Sequence, residues 1–557
     1  MDEFFSGGGK LDLFVEVCDG LDVKIESRYK ARELRIPVVM DTNDRGMMDV
    51  ERFDIEPLRP VLHGLADGLD PHNIKDLTNE EKIPYILKMI GADTISTRLK
   101  ASMLEVEQSI NTWPQLASSV TLGGALTTDV SRRILLDQYH DSGRYYIDLE
   151  ELIGDKEQEE TATIPESYLG PPQLTEGEML NAVQDFMPTS TNAKLPENIL
   201  AEIVEAGLAA PSGGNVQPWK LVYTHNGLFI FHEEHYSYSL LDFNHLGSYL
   251  AIGAMVENIK IKAATLGYDI NTGYFPFGEN KKVVVHISFQ KNEQTSSVYK
   301  LLEPGITLRV TNREVTVKKS LSPDFYSHIK SSVETYHGAE LHIVDDECQM
   351  KELGNILATA EMLRFMHPRG HYDTFTNELR WTPEQVTLTK DGLDVNSLGA
   401  SNSELAGFRV AGDSKAISFL RELHGGGAFT KMVNKSVGFS SALGIVTMPQ
   451  YSDLDFLLGG CAVERIWIEA NLAGVSFQPI SQFVFMLARL KNEPVKNPDD
   501  NYYNDELEKL GKKFNALFPQ LSNKQSIFMF RLAKAGEPKV RSLRRPLESS
   551  FIYMPNV

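Results

Sequence analysis

A chain of 557 residues is too long for a single hydrophobic core, and its length predicts roughly two to four domains. With 55 basic against 76 acidic side chains it carries a formal charge of −21, so it repels phosphate polymers and anionic bilayers at long range. That excludes a general nucleic-acid or membrane binder and confines any bound phosphate to a local basic pocket.

Three scattered cysteines, Cys18, Cys348 and Cys461, offer neither a disulfide framework nor a thiolate zinc site and suit a reducing compartment. The acidic start MDEFFSGGGK has no apolar leader, and no run approaches the roughly 18 apolar residues of a membrane span. A cytoplasmic protein is expected.

In chain order, residues 11–18 (LDLFVEVC) read as a buried strand. An amphipathic helix over about 22–34 follows, then a strand at 36–40 that runs into DTNDRG. This alternation is half of an α/β domain. Residues 80–140 read as mainly helical, with a break at Trp113-Pro114. Between 150 and 186 lie ten acids, one base and a Pro-Pro pair, a composition shift that marks a boundary. Beyond it come a helix at 197–209, strands near 219–224 and 228–232, a long helix at about 246–266 and a strand at 282–290.

A second pass of similar elements follows. A shift of 207 residues lays Gly253-Ala-Met-Val-Glu-Asn-Ile on Gly460-Cys-Ala-Val-Glu-Arg-Ile, and seven of the sixteen positions 253–268 are identical. A weaker echo sets Asn198-Ile-Leu-Ala on Asn355-Ile-Leu-Ala. Matching glycines at both ends of the long helix point to gene duplication rather than to two helices sharing Ile, Val and Ala by chance. The expected organisation is an α/β and helical segment 1–145, an acidic linker 146–189, and two halves, 190–300 and 301–557. Within the second half, 361–412 is polar and largely aperiodic, with His367, His371, Arg380 and Trp381. It reads either as a lid or as a surface excursion.

Three short segments carry chemistry. In Ala210-Pro211-Ser212-Gly213-Gly214-Asn215-Val216-Gln217-Pro218-Trp219 a helix exits into a glycine turn. Gly213 and Gly214 let backbone approach a flat ligand, while Ser212 and Asn215 offer hydrogen bonds. Arg309-Val310-Thr311-Asn312-Arg313 sets two guanidinium groups and a hydroxyl in one segment, which suits a phosphate monoester. Arg541, Arg544 and Arg545 form a second basic cluster.

Together these segments resemble the nitroreductase superfamily, in particular its duplicated branch, over about 190–550. The family pattern is an R-x-S-x-R phosphate loop, an A-P-S-x-x-N-x-Q-P-W segment against the flavin ring, a proline loop beside its reactive edge and a basic C-terminal segment. Their counterparts here are Arg309, Thr311 and Arg313; Pro211, Ser212, Gly213, Gly214, Asn215 and Gln217; Gln478, Pro479, Ile480 and Ser481; and Arg544 with Arg545.

Two departures stand out: Thr311 replaces serine, and the usual order of the phosphate loop and the A-P-S segment is reversed. Duplication accounts for the reversal, because ordinary members build each site across a homodimer interface. The first half has no arginine between 145 and 308, and the second half has no P-S-G-G-N after its NILA helix. Complementary losses leave one composite site.

The resemblance implies an α+β duplicated fold binding flavin mononucleotide (FMN). It implies hydride transfer from NAD(P)H to a quinone, nitro compound or other conjugated electrophile, with flavin storage as the alternative. No acid–base side chain is required, and Arg313 is the candidate for stabilising the reduced, anionic flavin. A monomer that is its own pseudo-dimer, or a higher homo-oligomer, is expected, with a small-molecule substrate as the partner.

Ahead of this, Val15-Glu-Val-Cys18-Asp19-Gly-Leu-Asp22-Val-Lys24 and the following IPVVMDTNDRG resemble the second half of a ThiF-type, ubiquitin-activating-like adenylyltransferase. In that family the residue matching Asp19 helps hold magnesium and ATP. The glycine-rich phosphate cradle and the catalytic and zinc-binding cysteines have no counterpart. A partial, Rossmann-like and inactive segment is therefore expected. His232-Glu-Glu-His235 with His245 has metal-like spacing but falls where a strand runs into a loop, and no metal centre is expected there or at His367 and His371.

Overall fold

A computed structural model describes residues 1–154, 164–186, 193–278, 280–292, 297–493, 497 and 500–554. The chain divides into two compact units, Met1–Thr163 with Ala400–Ala428, and Ile164–Gly399 with Phe429–Val557.

The smaller unit holds a four-stranded sheet of β1 (Phe14–Glu16), β2 (Val38–Asp41), β3 (Met48–Glu51) and β4 (Gly143–Tyr145), in that order. Helix α1 (Leu21–Glu33) makes the crossover between the parallel strands β1 and β2, and the later pairings are antiparallel. A single β-α-β crossover is thus all the parallel α/β structure among the described residues of the smaller unit. The helical reading of 80–140 corresponds to α2 (Asn79–Ile90), α3 (Thr97–Glu105) and α4 (Ala117–Leu135).

Sequence reading kept 301–557 as one continuous half, yet residues 400–428 pack with the smaller unit. Two helices there, Asn402–Ala411 and Ser414–Glu422, lie against α2 and α3. Lys100 pairs with Asp413 at 2.6 Å, and Gly426 N–H donates to the Glu105 carboxylate at 2.7 Å. Both contacts join residues more than 300 apart, a distance at which local periodicity carries no information.

The sheet of the smaller unit is held by charge as well as by apolar packing. Arg28 is fully buried and binds Glu16 and Glu51, each at 2.8 Å. Glu51 also accepts Leu62 N–H at 2.6 Å. Burial pushes the Glu16 carboxyl up, but the Arg28 and Lys24 cations overcome this and hold it at about 2.

The larger unit contains two sheets of one topology. After α5 (Glu197–Leu208), strands β5 (Trp219–Thr224) and β6 (Gly227–His232) form a hairpin. The long helix α6 (Leu246–Thr265) leads to β7 (Tyr268–Tyr274) and β8 (Val283–Lys291), giving the antiparallel order β5-β6-β8-β7. After α7 (Ser297–Leu308) and α8 (Pro323–Val333) the plan recurs. Strand β9 (Glu340–Val344), helix α9 (Glu347–Met366), strand β10 (Ala442–Met448), long helix α10 (Asp453–Leu472), and strands β11 (Ser476–Pro479) and β12 (Gln525–Ala533) give β9-β10-β12-β11, again antiparallel. A last strand, β13 (Phe551–Tyr553), adds in parallel to the free edge of β5.

The long helices α6 and α10 pack on each other, and both sheets join them in one apolar core. A Cβ on Gly253 would overlap the Leu457 carbonyl oxygen, and a Cβ on Gly460 would overlap that of Leu250. Leu250 and Leu457 are separated by the same 207 residues as the two glycines. The contact is therefore reciprocal, as across a two-fold interface. Cys461 Sγ seals it by donating to the Gly253 carbonyl at 3.1 Å.

The NILA echo does not share this relation. Asn198 lies on α5, ahead of the first strand of its sheet, whereas Asn355 lies on α9, after the first strand of the other. By topology the partner of α5 is α8, which packs on α10 as α5 packs on α6. The link after α8 reads Glu334-Thr-Tyr-His-Gly-Ala339, and it too lacks P-S-G-G-N.

The stretch 361–412 is not an aperiodic loop. Helix α9 runs on to Met366, short helical segments follow at Pro368–Tyr372 and Pro383–Thr389, and from residue 400 the chain belongs to the smaller unit. Buried pairs Arg369–Asp373 (2.8 Å) and Arg364–Glu378 (3.1 Å) fix it, which explains its polarity. His367 caps a helix by accepting Arg369 N–H at 3.1 Å and pairs with Asp500 at 3.0 Å.

Each unit carries its own expectations. Gly253→Ala should destabilise the larger unit by about 1–3 kcal/mol, because the overlapping atom is backbone and cannot move aside. Gly177→Ala, on a helix with open space at its Cβ, should instead gain about 0.5–1 kcal/mol; chemical denaturation followed at Trp219 and Trp467 separates them. In the smaller unit, Glu16 has a folded-state pKa below its unfolded value, so its contribution is present above about 4.5 and is lost as pH falls toward about 2. That loss amounts to about 3 kcal/mol, and hydrogen exchange at β2 should report it. Arg28→Met should cost about 3–5 kcal/mol at neutral pH, since it strands two buried carboxylates.

Candidate functional site

The site grows from the end of α5. Its C-terminal residues leave the helix at Ala209 and Ala210 and enter the glycine turn, where Gly214, Asn215 and Gln217 take left-handed φ values of 58°, 56° and 54°. Gly214 needs its freedom, because a Cβ there would press on the Glu378 side chain at 3.2 Å. Ser212 Oγ accepts Gln217 N–H at 2.9 Å and closes the turn. Pro211 stands at its entrance, and Gly213 has open space about its Cα.

One group of arginines converges on this turn, and a second gathers at the end of β11. Arg309 follows directly on α7; its Nε is 3.0 Å from Glu464, its Nη2 reaches the Ala209 carbonyl, and its guanidinium lies 5.1 Å over the Trp467 ring. Arg544 bonds Ala210 O at 3.1 Å and Asn215 Oδ1 at 2.7 Å. Burial, aggravated by Arg309, drives its pKa down to about 9, with Glu464 offsetting part of this. Glu464 is itself pushed up to about 7 by burial, against the pull of Arg309. Arg541 is exposed and caps α7 through Thr307 O and Leu308 O, each at 2.7 Å.

The second group lies four residues along. Arg313 bonds Ser397 O at 3.2 Å, and burial lowers it to about 10. Arg531, fully buried on β12, is lowered to about 10 by burial and by Arg313, and binds Gln478 Oε1 and the Glu314 carbonyl (3.1 Å). Among the described residues neither Arg313 nor Arg531 has a carboxylate within ion-pair distance. Both groups keep buried guanidinium nitrogens with no hydrogen-bond partner: Nε of Arg309, which faces Glu464, and Nε of Arg544 in the first, and Nη1 of Arg531 in the second.

The other sequence candidates divide. Thr311 forms an isolated bridge to Phe477, which registers the arginine segment against β11. Gln478 and Pro479 end β11 beside Arg531. Ile480 is buried, and Ser481 ties off the strand by accepting Met529 N–H (2.9 Å) and donating to Met529 O (2.8 Å), so both sit behind the site. Asn215 and Gln217 are engaged by protein. Asn215 Nδ2 donates to Gly392 O (3.2 Å) and Leu543 O (3.1 Å); Gln217 accepts Arg545 N–H (2.8 Å) and donates to Lys390 O (2.9 Å). Arg545 pairs with Asp391 and lies 3.8 Å over Tyr236, which makes it a strut for the turn.

Arg531 escaped sequence reading. It was visible as the one charged side chain in the apolar strand QSIFMFRLA, a pattern that marks a buried polar site more often than a solvated one.

At the end of β1, Asp19 is exposed, and the neighbouring carboxylate Glu16 is already bound to Lys24 and Arg28. Lys24 and Arg28, close to Asp19 in sequence, are thus held in structural ion pairs. No described helix is long and apolar enough to cross a membrane.

Residues 190–241, which contain α5, the glycine turn and the β5–β6 hairpin, match the nitroreductase family. Over 553 residues the chain is 31% identical to an uncharacterized protein of Mycobacterium tuberculosis (strain CDC 1551 / Oshkosh), an alignment spanning 98% of this chain and 72% of that one. The chain belongs to one family with that mycobacterial protein and, through residues 190–241, to the nitroreductase superfamily of oxidoreductases.

Proposed function

We propose that the larger unit binds one flavin mononucleotide per chain and serves as an NAD(P)H-dependent reductase of a quinone, nitro compound or other conjugated electrophile. The observation that carries this reading is the pair of arginine groups, each with a buried nitrogen still lacking a partner. Arg309 and Arg313 are separated by at most about 13 Å of extended chain, a span that fits a long ligand with a phosphate at one end and a polar ring edge at the other. Arg309 and Arg544 would take the phosphate, where Glu464 titrating near 7 leaves the positive charge in excess. Arg313, Arg531 and Gln478 would face the ring edge. Cations there favour the reduced, negatively charged ring, and bound flavin supplies the hydride acceptor and donor.

A single site per chain is supported by what stands at the equivalent position of the other half. The 207-residue shift that brings Glu257 onto Glu464 brings Asn258 onto Arg465. Arg465 binds Glu257 at 3.1 Å and Glu469 at 3.2 Å. An internal ion pair therefore occupies the region where the first site gathers its arginines. With the repeated sheet order and the reciprocal glycines, this favours a duplicated ancestor that kept one site and filled the other. Flavin storage is the second reading, favoured by one observation: the amides of Asn215 and Gln217, which the resemblance sets against the ring, are engaged by Arg544, Arg545 and Lys390.

Flavin titration should give one FMN per chain. Arg544→Ala removes charge-assisted bonds worth about 1.5–3 kcal/mol each, so FMN affinity should fall roughly ten- to hundredfold while riboflavin, lacking the phosphate, loses less. Arg531→Ala should weaken both ligands by similar factors. Two flavins per chain, or equal losses for both ligands in Arg544→Ala, would overturn the assignment. Anaerobic stopped-flow mixing with NADH or NADPH should bleach the flavin within seconds, and a quinone should restore its colour. Flavin bleached by dithionite but by neither nucleotide would favour storage.

A further inference from the structure

The loop leaving β6 gathers three metal-binding side chains. His232 ends the strand, Asp242 and His245 lie in the turn before α6, and one ligand atom from each falls within 4.8 Å of the other two. The sequence pattern set His232, His235 and His245 together, but His235 is turned away, with its Nδ1 2.8 Å from the Pro171 carbonyl. Asp242 takes its place.

Three further features are those of a built site. Asn244 and His245 both hold left-handed backbone, φ 51° and 61°, a conformation that costs non-glycine residues energy and persists where surroundings enforce it. It brings the His245 ring to 4.6 Å from that of His232. The Asp242 carboxylate is oriented from behind by Ser248, whose N–H and hydroxyl reach its two oxygens at 2.9 and 2.6 Å. Such outer hydrogen bonds aim metal-binding carboxylates. Among the described residues no lysine or arginine forms an ion pair with Asp242, which leaves its carboxylate to Ser248 and the histidines.

We propose that His232, Asp242 and His245 bind one divalent transition-metal cation of the zinc class. Two imidazoles and a carboxylate suit zinc better than magnesium or calcium, which prefer oxygen ligands throughout. Ligand distances of about 2.0–2.2 Å require the three atoms to draw together through side-chain rotation. The Ser237 hydroxyl, 3.0 Å from His232 Nε2, or a water completes the set. The cation would brace the loop that carries Tyr236 under Arg545 and donates Leu240 N–H to Asp373 at 2.7 Å. The site uses none of the arginines assigned to flavin.

The test takes untagged full-length protein, stripped with a chelator and titrated with Zn(II) against a chromophoric competitor. One Zn(II) per chain is expected. His245→Ala or Asp242→Asn should weaken it roughly a hundredfold or more, and His235→Ala should leave it unchanged. Co(II) substituted into the wild-type protein should give tetrahedral ligand-field bands without thiolate charge transfer, a readout that holds even if a variant fails to fold. Absence of competitive uptake by the wild type, retention of affinity in folded His245→Ala, or thiolate bands in the cobalt spectrum would each overturn the site.

Discussion

The close approach of α6 and α10 is the constraint on which the larger unit rests. Each helix gives up a side chain where the other's backbone must pass, at Gly253 and Gly460, and the two sites exchange the same contact. With no Cβ between them, the carbonyls of Leu250 and Leu457 reach the partner helix, and the surrounding Ile, Met, Val and Phe side chains close into one core rather than two. Parts of both candidate sites hang from this axis. Glu464 and Trp467, which hold Arg309, stand on one helix, and the turn holding Asp242 and His245 opens the other.

That geometry also governs how an acidic chain keeps positive charge. Arg309 and Arg531 are buried and Arg313 and Arg544 half-buried, and loss of water disfavours their cations, as the lowered values of Arg313, Arg531 and Arg544 reflect. Elsewhere the fold answers buried arginine with carboxylate: Arg28 with Glu16 and Glu51, Arg364 with Glu378, Arg369 with Asp373. At the site it does so incompletely. Arg313 and Arg531 have no carboxylate within ion-pair distance among the described residues, and that shortage of negative charge is what the proposed anionic ligand would make good.

Legibility in the sequence followed the range of the interactions. The β5–β6 hairpin was readable because its apolar run breaks at His225-Asn226, both in left-handed backbone. The long helices were readable from matched glycines whose spacing needs no third partner. Arg309, Arg313 and Asn215 were readable because short motifs carry them. What stayed hidden depends on contacts across hundreds of residues: Arg531 beside Gln478, the carbonyls of Lys390 and Gly392 holding the glycine turn, and residues 400–428 docked on α2 and α3. The NILA echo misled for the opposite reason, since four common helical residues recur without topological equivalence. Asp242, three residues before His245, does not stand out in sequence because its approach to His232 depends on the turn before α6.

The parallel pairing of β13 with β5 bears on how the protein is made. Leu221 lies opposite Phe551, about 330 residues later. During synthesis the first sheet stands with β5 as an open edge while the whole second half emerges. An unpaired edge over that interval invites pairing with another nascent chain. Arg544 and Arg545, which seat the glycine turn, arrive in the same late segment. The proposed site would therefore wait for this segment, and a chain arrested just after β12 would carry both sheets with the edge of β5 still exposed and without Arg544 and Arg545.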